Sequence, residues 1–221
     1  MSVSERPQRL YRYVIDHDKG FAPNPFFNLC SLACCKPRIR KSATVGDVIV
    51  GFGPKKYDLG GKVIYWMEID EVVDFETYWH DARFRRKKPK VGGSLCLNFG
   101  DNIYHRNPVT GEWIQDNSFH SDPNSLHGQG NLKRDTERTD RVLLAREYAY
   151  WGGNGPTPPD PFDPLIKSGI GETYRVDDDA LQTAFIEWLK SFSDRGFINE
   201  PADWFHDKQL RQQIEARAST C

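Results

Sequence analysis

Two apolar runs joined by a Pro/Gly tip constrain this chain more than any other feature. Val45 to Gly53 (VGDVIVGFG) is a turn that feeds a β-branched strand, and Lys62 to Val73 (KVIYWMEIDEVV) is a long strand-like run. Pro54 to Gly61 lies between them. Such runs separated by turn residues predict an antiparallel hairpin. Leu10 to Ile15 (LYRYVI) alternates and predicts a first strand. Asp140 to Tyr150 (DRVLLAREYAY) predicts a strand or strand pair, and Ser94 to Phe99 another strand. Leu29 to Lys36 (LCSLACCK) is a small apolar run that fits a strand or one short helix.

Asp74 heads a short helix over Asp74 to Trp79. Asp178 or Asp179 caps a longer one running to about Ser193. Its stripe is Leu181, Ala184, Phe185, Trp188, Leu189 and Phe192. A further helix is expected from about Asp203 to Ala218. His17 to Asn28 is a Gly/Pro/Asn loop whose three Phe must pack on something. Gly100 to Asn131 is a long polar stretch with one strand expected near Trp113-Ile114. Loops of that length inside a domain are usually functional or disordered, and Tyr104, Trp113 and Phe119 favour function. Gly152 to Pro164 is a Gly/Pro stretch and the expected boundary. The expectation is therefore an α+β fold, with one domain over 1–155 and a linker plus C-terminal helical extension over 156–221.

Composition removes several classes. Aromatics make up 13% of the 221 residues, enough apolar surface to exclude wholesale disorder. Lys and Arg number 30 against 31 Asp and Glu, so bulk positive charge cannot be what binds a polyanion. Any such binding needs a local patch, and Arg83, Arg85, Arg86, Lys87, Lys88 and Lys90 form one. Such a run is otherwise a solvated loop. No stretch has the roughly 18 apolar residues of a membrane span. The opening MSVSERPQRL has no apolar core of a secretory signal, so a cytoplasmic chain without membrane partners is expected. The five cysteines, an odd number, then read as thiols.

Three clusters carry possible chemistry. Cys34-Cys35-Lys36, followed by Arg38 and Arg40, places cations beside a thiol, which favours the nucleophilic thiolate. Spacing alone favours the other reading, that Cys30, Cys34 and Cys35 are small buried hydrophobes. A zinc site would need a second ligand pair, and no CxxC or HxxxH is present, so neither metal nor other cofactor is expected. Asp101-Asn102-Ile103-Tyr104-His105 offers a carboxylate for the two donors of a guanine-type edge and an amide for its O6. Gly-Asp-Asn is equally ordinary turn chemistry. Asn117-Ser118-Phe119-His120 contains an imidazole suited to proton transfer, although a histidine in a polar loop is more often simply solvated.

GFAPNPFFNLCSLACCKPRIRKSATVGDVIVGFG, IDEVVDFETYWHDARF, GDNIYHR, WIQDNSFHS and DRVLLAREYAYWGGNGP occur in this order. Over residues 8 to 156 the chain resembles the nucleotide modification associated domain 2 family. The resemblance implies a place in a system that modifies DNA bases, with DNA and other proteins of the same gene cluster as partners. It implies 7-deazaguanine chemistry, in which a 7-cyano group is hydrated to a 7-amido group. The VGDVIVGFG and KVIYWMEIDEVV layout is similar to PUA-like barrels such as EVE, ASCH and YTH domains. That similarity implies a PUA-like mixed β-barrel with an aromatic-lined base pocket.

In this reading Cys35 adds to the nitrile carbon, His120 relays protons and Asp101 and Asn102 hold the base edge. Tyr104 or Phe26 stacks on the ring, and Lys36 or Arg40 favours the thiolate. Asn24 and Asn117 complete the expected base-binding set. Arg83, Arg85, Arg86, Lys87 and Lys88 grip phosphates, and the target base is flipped or single-stranded. Two competing classes are a reader that binds a modified base without chemistry and a small-molecule hydrolase unrelated to DNA.

Overall fold

Alternation along the expected strands sends side chains to two faces, and both faces are covered. The computed structural model describes residues 7–90, 92–118, 128–169, 171–173 and 178–206. In chain order the elements are β1 (Leu10–Val14), β2 (Cys30–Leu32), α1 (Pro37–Ser42), β3 (Val48–Phe52), β4 (Val63–Glu68), β5 (Glu71–Asp74) and α2 (Phe75–His80). There follow α3 (Leu95–Asn98), β6 (Tyr104–Arg106), β7 (Trp113–Gln115), α4 (Gly128–Thr136), β8 (Arg141–Ala145) and β9 (Glu147–Tyr150). The last are β10 (Glu172–Thr173), α5 (Asp179–Ser191), β11 (Gly196–Phe197) and α6 (Asp203–His206).

The fold is mixed α/β. A six-stranded sheet has the order β10-β1-β3-β4-β9-β11, a three-stranded sheet the order β2-β8-β5, and β6 pairs with β7. β3 and β4 form the expected antiparallel hairpin, while β1 runs parallel to β3. Tyr11, Tyr13, Ile49, Tyr65 and Met67 point to one face and meet Cys30, Leu32, Leu143 and Ala145 of the small sheet. Leu10, Val48, Val50, Phe52 and Trp66 point to the other and meet Phe185, Ile186 and Leu189 of α5. This is the period-2 pattern of a strand buried on both sides. α5 is capped by Asp178, which accepts the Leu181 N–H at 2.9 Å, and Phe185 stacks on Phe52 at 6.3 Å. Burying such a ring stabilises the fold by roughly 2–3 kcal/mol.

No sheet among the described residues closes into a barrel, so the expected PUA-like mixed β-barrel is corrected to open sheets. The reason lies at two corners. The long run Lys62 to Val73 breaks at Ile69-Asp70, and its second half joins the small sheet as β5. Asp140 to Tyr150 breaks at Arg146 in the same way. Asp70 fastens the two corners together, accepting the Arg146 N–H at 2.6 Å and its Nη1 at 2.7 Å. The strands that would have continued a ring are thereby turned into a second layer.

Two local expectations change as well. Ser94 to Phe99 is the short helix α3, because the N–H groups of Leu97 and Asn98 close on the Ser94 carbonyl at 2.9 Å. The polar stretch after Gly100 holds the β6–β7 hairpin and runs into α4. No helix among the described residues is long and apolar enough to cross a membrane.

Candidate functional site

After β2 the chain turns through Cys34, Cys35 and Lys36 into α1. Cys35 has φ 58° and Lys36 φ 44°. Residues with side chains enter this left-handed region at a cost of about 1–3 kcal/mol each, so surrounding contacts must impose it. Asp135, fully buried, is the residue that does so. Its Oδ1 accepts the Cys35 N–H at 2.9 Å and its Oδ2 accepts the Tyr104 hydroxyl at 3.0 Å. Arg134 donates to both carboxylate oxygens, at 2.9 and 2.8 Å. The same guanidinium places Nη2 3.4 Å from Cys35 Sγ. Burial works against the Arg134 charge, but the Asp135 carboxylate and the Cys35 sulfur more than offset it and hold the guanidinium protonated.

The cations expected to act on Cys35 are placed otherwise. Lys36 lies with Nζ 4.6 Å from the Tyr13 ring centroid. Arg40 is enclosed, donating to the carbonyls of Arg141 at 2.8 Å and Asp135 at 3.1 Å, with its charge opposed by burial. The cation in contact with the Cys35 sulfur is therefore Arg134.

Cys35 and Lys36 line an open cleft of about 420 Å³ together with Tyr13, Ile15, His17 and Phe21. This is within the roughly 300–1,000 Å³ of small-molecule pockets. Cys30 and Cys34 are fully buried, and burial pushes both thiols well up. The buried-hydrophobe reading thus holds for these two, while Cys35 faces the cleft. Among the described residues no three His, Cys, Asp or Glu side chains converge as metal ligands would.

Most of the expected base-binding residues lie elsewhere. Asp101 is fully enclosed; its carboxylate accepts from Ser31 at 2.7 Å and Tyr78 at 2.8 Å, and burial pushes its pKa up. Asn102 is buried with its amide on the Tyr78 carbonyl at 2.5 Å. Asn24 is buried and donates to the Phe99 carbonyl at 2.8 Å. Phe26 packs inside an aromatic cluster with Phe27, Phe197 and Trp204. Tyr104 is buried against Phe75. All five side chains are buried and none lines the Cys35 cleft, so that cleft does not offer them to a base. Asn117 is exposed and does not line the cleft, and His120 lies outside the described residues.

The basic run divides by direction. Lys87 points inward, with Nζ donating to Asn24 Oδ1 at 2.7 Å and to the carbonyls of Asn24 and Leu29 at 2.9 and 2.6 Å. Burial pulls its amine down to about 8. It is corrected from a phosphate contact to an internal strut. Arg83 is paired with Glu71 and Asp81 at 2.9 and 2.7 Å. Arg85 is exposed, Arg86 sits over Phe27 at 4.1 Å and Lys88 over Trp79 at 3.4 Å.

His17 links the cleft to a pair of buried acids. It lies 3.5 Å from Asp203 and 3.3 Å from Lys56 Nζ. Asp18 accepts the Tyr150 hydroxyl and the Ala202 N–H, the latter at 2.9 Å. Burial pushes the Asp18 carboxyl up from 3.8 to about 6, with Asp203 adding to the rise and the two hydrogen bonds and Lys56 opposing it. A carboxyl raised in the folded state makes ionisation destabilising. The folded protein should therefore lose about 3 kcal/mol through this group as pH rises from about 4 to about 6, and nothing further above that. In Asp18→Asn the amide N can donate to the Tyr150 hydroxyl and the amide O can accept from Ala202. Urea melts at pH 4, 5, 6 and 7 are expected to show this slope in the wild type and a flatter one in the variant. Equal slopes would remove Asp18 as its source.

The turn at Cys35 and Lys36 holds a thiol in the lining of a 420 Å³ cleft, and the chain that builds it matches a known family. The family described as nucleotide modification associated domain 2 matches residues 7–208. The chain belongs to that family. The match runs past the Gly/Pro stretch and through α5, beyond residue 156 where the sequence resemblance was expected to stop. No curated protein and no solved structure matches the chain. For this member of the nucleotide modification family, sequence reasoning missed His17, Arg134 and Asp135. Arg134 and Asp135 stand 99 and 100 positions from Cys35, so no spacing pattern could have paired them with it.

Proposed function

We propose that this chain acts on a modified guanine-type base in DNA, with Cys35 as the nucleophile that hydrates a 7-cyano-7-deazaguanine to the 7-amido base. The observation that carries the reading is the placement of Cys35: held in the left-handed region at the mouth of a 420 Å³ cleft, with a guanidinium 3.4 Å from its sulfur. Family membership supports nucleotide modification as the setting. The thiolate attacks the nitrile carbon, a C–S bond forms, and the nitrile nitrogen takes up a proton, giving a thioimidate. Water then adds to the C=N carbon, the C–S bond breaks, and sulfur leaves as thiolate. The sum is nitrile plus water to amide, with no change of oxidation state. Splitting the hydration into two additions lowers each barrier.

Phe21, which lines the cleft, supplies a flat, apolar contact for the ring. Asp16, at the cleft mouth, replaces Asp101 as the carboxylate for the guanine-type edge. His17 is the proton-transfer group within the cleft. The base must be flipped or single-stranded to enter. Arg85, Arg86, Lys88 and Lys90 are the cations of the basic run that remain at the surface for phosphates.

The test is incubation of the purified chain with a single-stranded oligonucleotide carrying one 7-cyano-7-deazaguanine, followed by mass spectrometry. A gain of one water is expected. No gain, with preferential binding of the modified strand, would make the chain a reader. The observation on that side is that Arg134, the group beside the sulfur, cannot accept a proton.

A further inference from the structure

A second cleft, of about 660 Å³, lies across the hairpin tip from the first. Among the described residues five large hydrophobic side chains are exposed, and three of them line this one cleft: Tyr57 at 40%, Phe197 at 39% and Phe205 at 58%. Such clustering of exposed rings marks a binding surface rather than chance exposure. Tyr57 is presented by the β3–β4 tip, where Tyr57 and Asp58 are both left-handed at φ 59° and 58°. Phe197 is fixed from behind, on Tyr150 at 5.8 Å and Phe26 at 5.2 Å. Asn154, Asn199 and Glu200 bring amide and carboxylate groups to the same walls, and Lys62 a cation. Flat apolar walls, hydrogen-bonding groups for a ring edge and a cation at the rim together suit a nucleotide.

One side-chain bridge separates the two clefts. Lys56 lies 5.4 Å from the Tyr57 ring and 3.3 Å from His17, which lines the Cys35 cleft. Lys56 also lies 3.8 Å from Asp203 and stays one-third exposed, so its ammonium at that junction is placed for the phosphate that joins two successive nucleotides. We propose that this cleft stacks the base next to the target, so that the substrate is single-stranded DNA and not a free base or nucleoside. The proposal rests on the Cys35 cleft being the site of the modified base.

The test uses the full chain and a labelled single-stranded DNA oligonucleotide in fluorescence anisotropy. Tyr57→Ala and Phe205→Ala each remove a partly exposed ring, and thermal melts verify that both variants are folded. Stacking of one base implies about tenfold weaker binding in each, with Val109→Ala, whose exposed side chain lines neither cleft, unchanged. A 5-iodouracil oligonucleotide should photo-crosslink to peptides spanning 54–62 or 197–205. The proposal is overturned if both variants bind within about twofold of wild type, if cross-links fall only within 83–90, or if an RNA of the same sequence binds more tightly than DNA. Its failure is distinct from that of the hydration reading. Unchanged oligonucleotide mass with weaker binding by Tyr57→Ala removes the hydration and keeps this cleft. Equal kcat/KM for the modified oligonucleotide and the free nucleoside, unaltered in Tyr57→Ala, removes this cleft and keeps the hydration.

Discussion

Cys35→Ala is expected to abolish hydration of the 7-cyano base while leaving binding of the strand intact. Without a sulfur no thioimidate forms, and loss of a covalent nucleophile costs roughly a thousandfold or more in kcat. Affinity should hold because Phe21 and the rim groups of the cleft are untouched. Cys30 and Cys34 cannot substitute: both are fully buried, and burial keeps both thiols protonated. A mass-resolved time course reads turnover, and trapping of the modified strand on the wild-type protein reads the intermediate. Iodoacetamide supplies an independent check, since Cys35 should be alkylated well before Cys30 and Cys34. Turnover in Cys35→Ala at the wild-type rate would end the covalent mechanism.

Asp135→Ala should produce the largest loss of stability. The carboxylate is fully buried and holds four things at once: the Cys35 N–H, the Tyr104 hydroxyl, the Arg134 fork and, at 3.9 Å, the enclosed Arg40. Its removal leaves a buried guanidinium without its counter-charge, which costs about 3–5 kcal/mol. It also removes the only carboxylate the described contacts show on the Cys35 N–H, so the left-handed turn should relax. Asp135→Asn keeps an acceptor for that N–H and should fall between wild type and Ala in stability. Urea denaturation would check this, with a lower midpoint and an unchanged m-value expected. A loss of only about 1 kcal/mol would show that Arg40 is satisfied by its carbonyl acceptors alone.

The two variants separate roles that lie one hydrogen bond apart. Cys35→Ala should leave the melt almost unaltered, since its side chain is at the cleft. Asp135→Ala should lower both stability and turnover, the second because the nucleophile is no longer held against Arg134.

Much of the local structure follows from nearest neighbours in the chain. Period-2 alternation in LYRYVI and VGDVIVGFG is a property of one strand and needs no partner to be recognised. The Asp74 and Asp178 caps depend on N–H groups three residues ahead, and both are as expected. Burial of the three Phe of the 17–28 loop follows from their area alone: Phe21 and Phe26 are buried and Phe27 packs on the same cluster.

The chain alone thus carries its main strands and the caps of two helices, while Ser94 to Phe99 and Leu29 to Lys36 took their form from the fold. Tertiary structure alone decided that the sheets stay open, because that depends on the corner at Asp70 and Arg146, residues 76 apart. It alone decided that Asp101, Asn24 and Lys87 face inward and Cys35 outward. Polar side chains of the same kind serve as a buried strut or as a site according to what surrounds them, and burial is a sum over distant segments that no local pattern encodes.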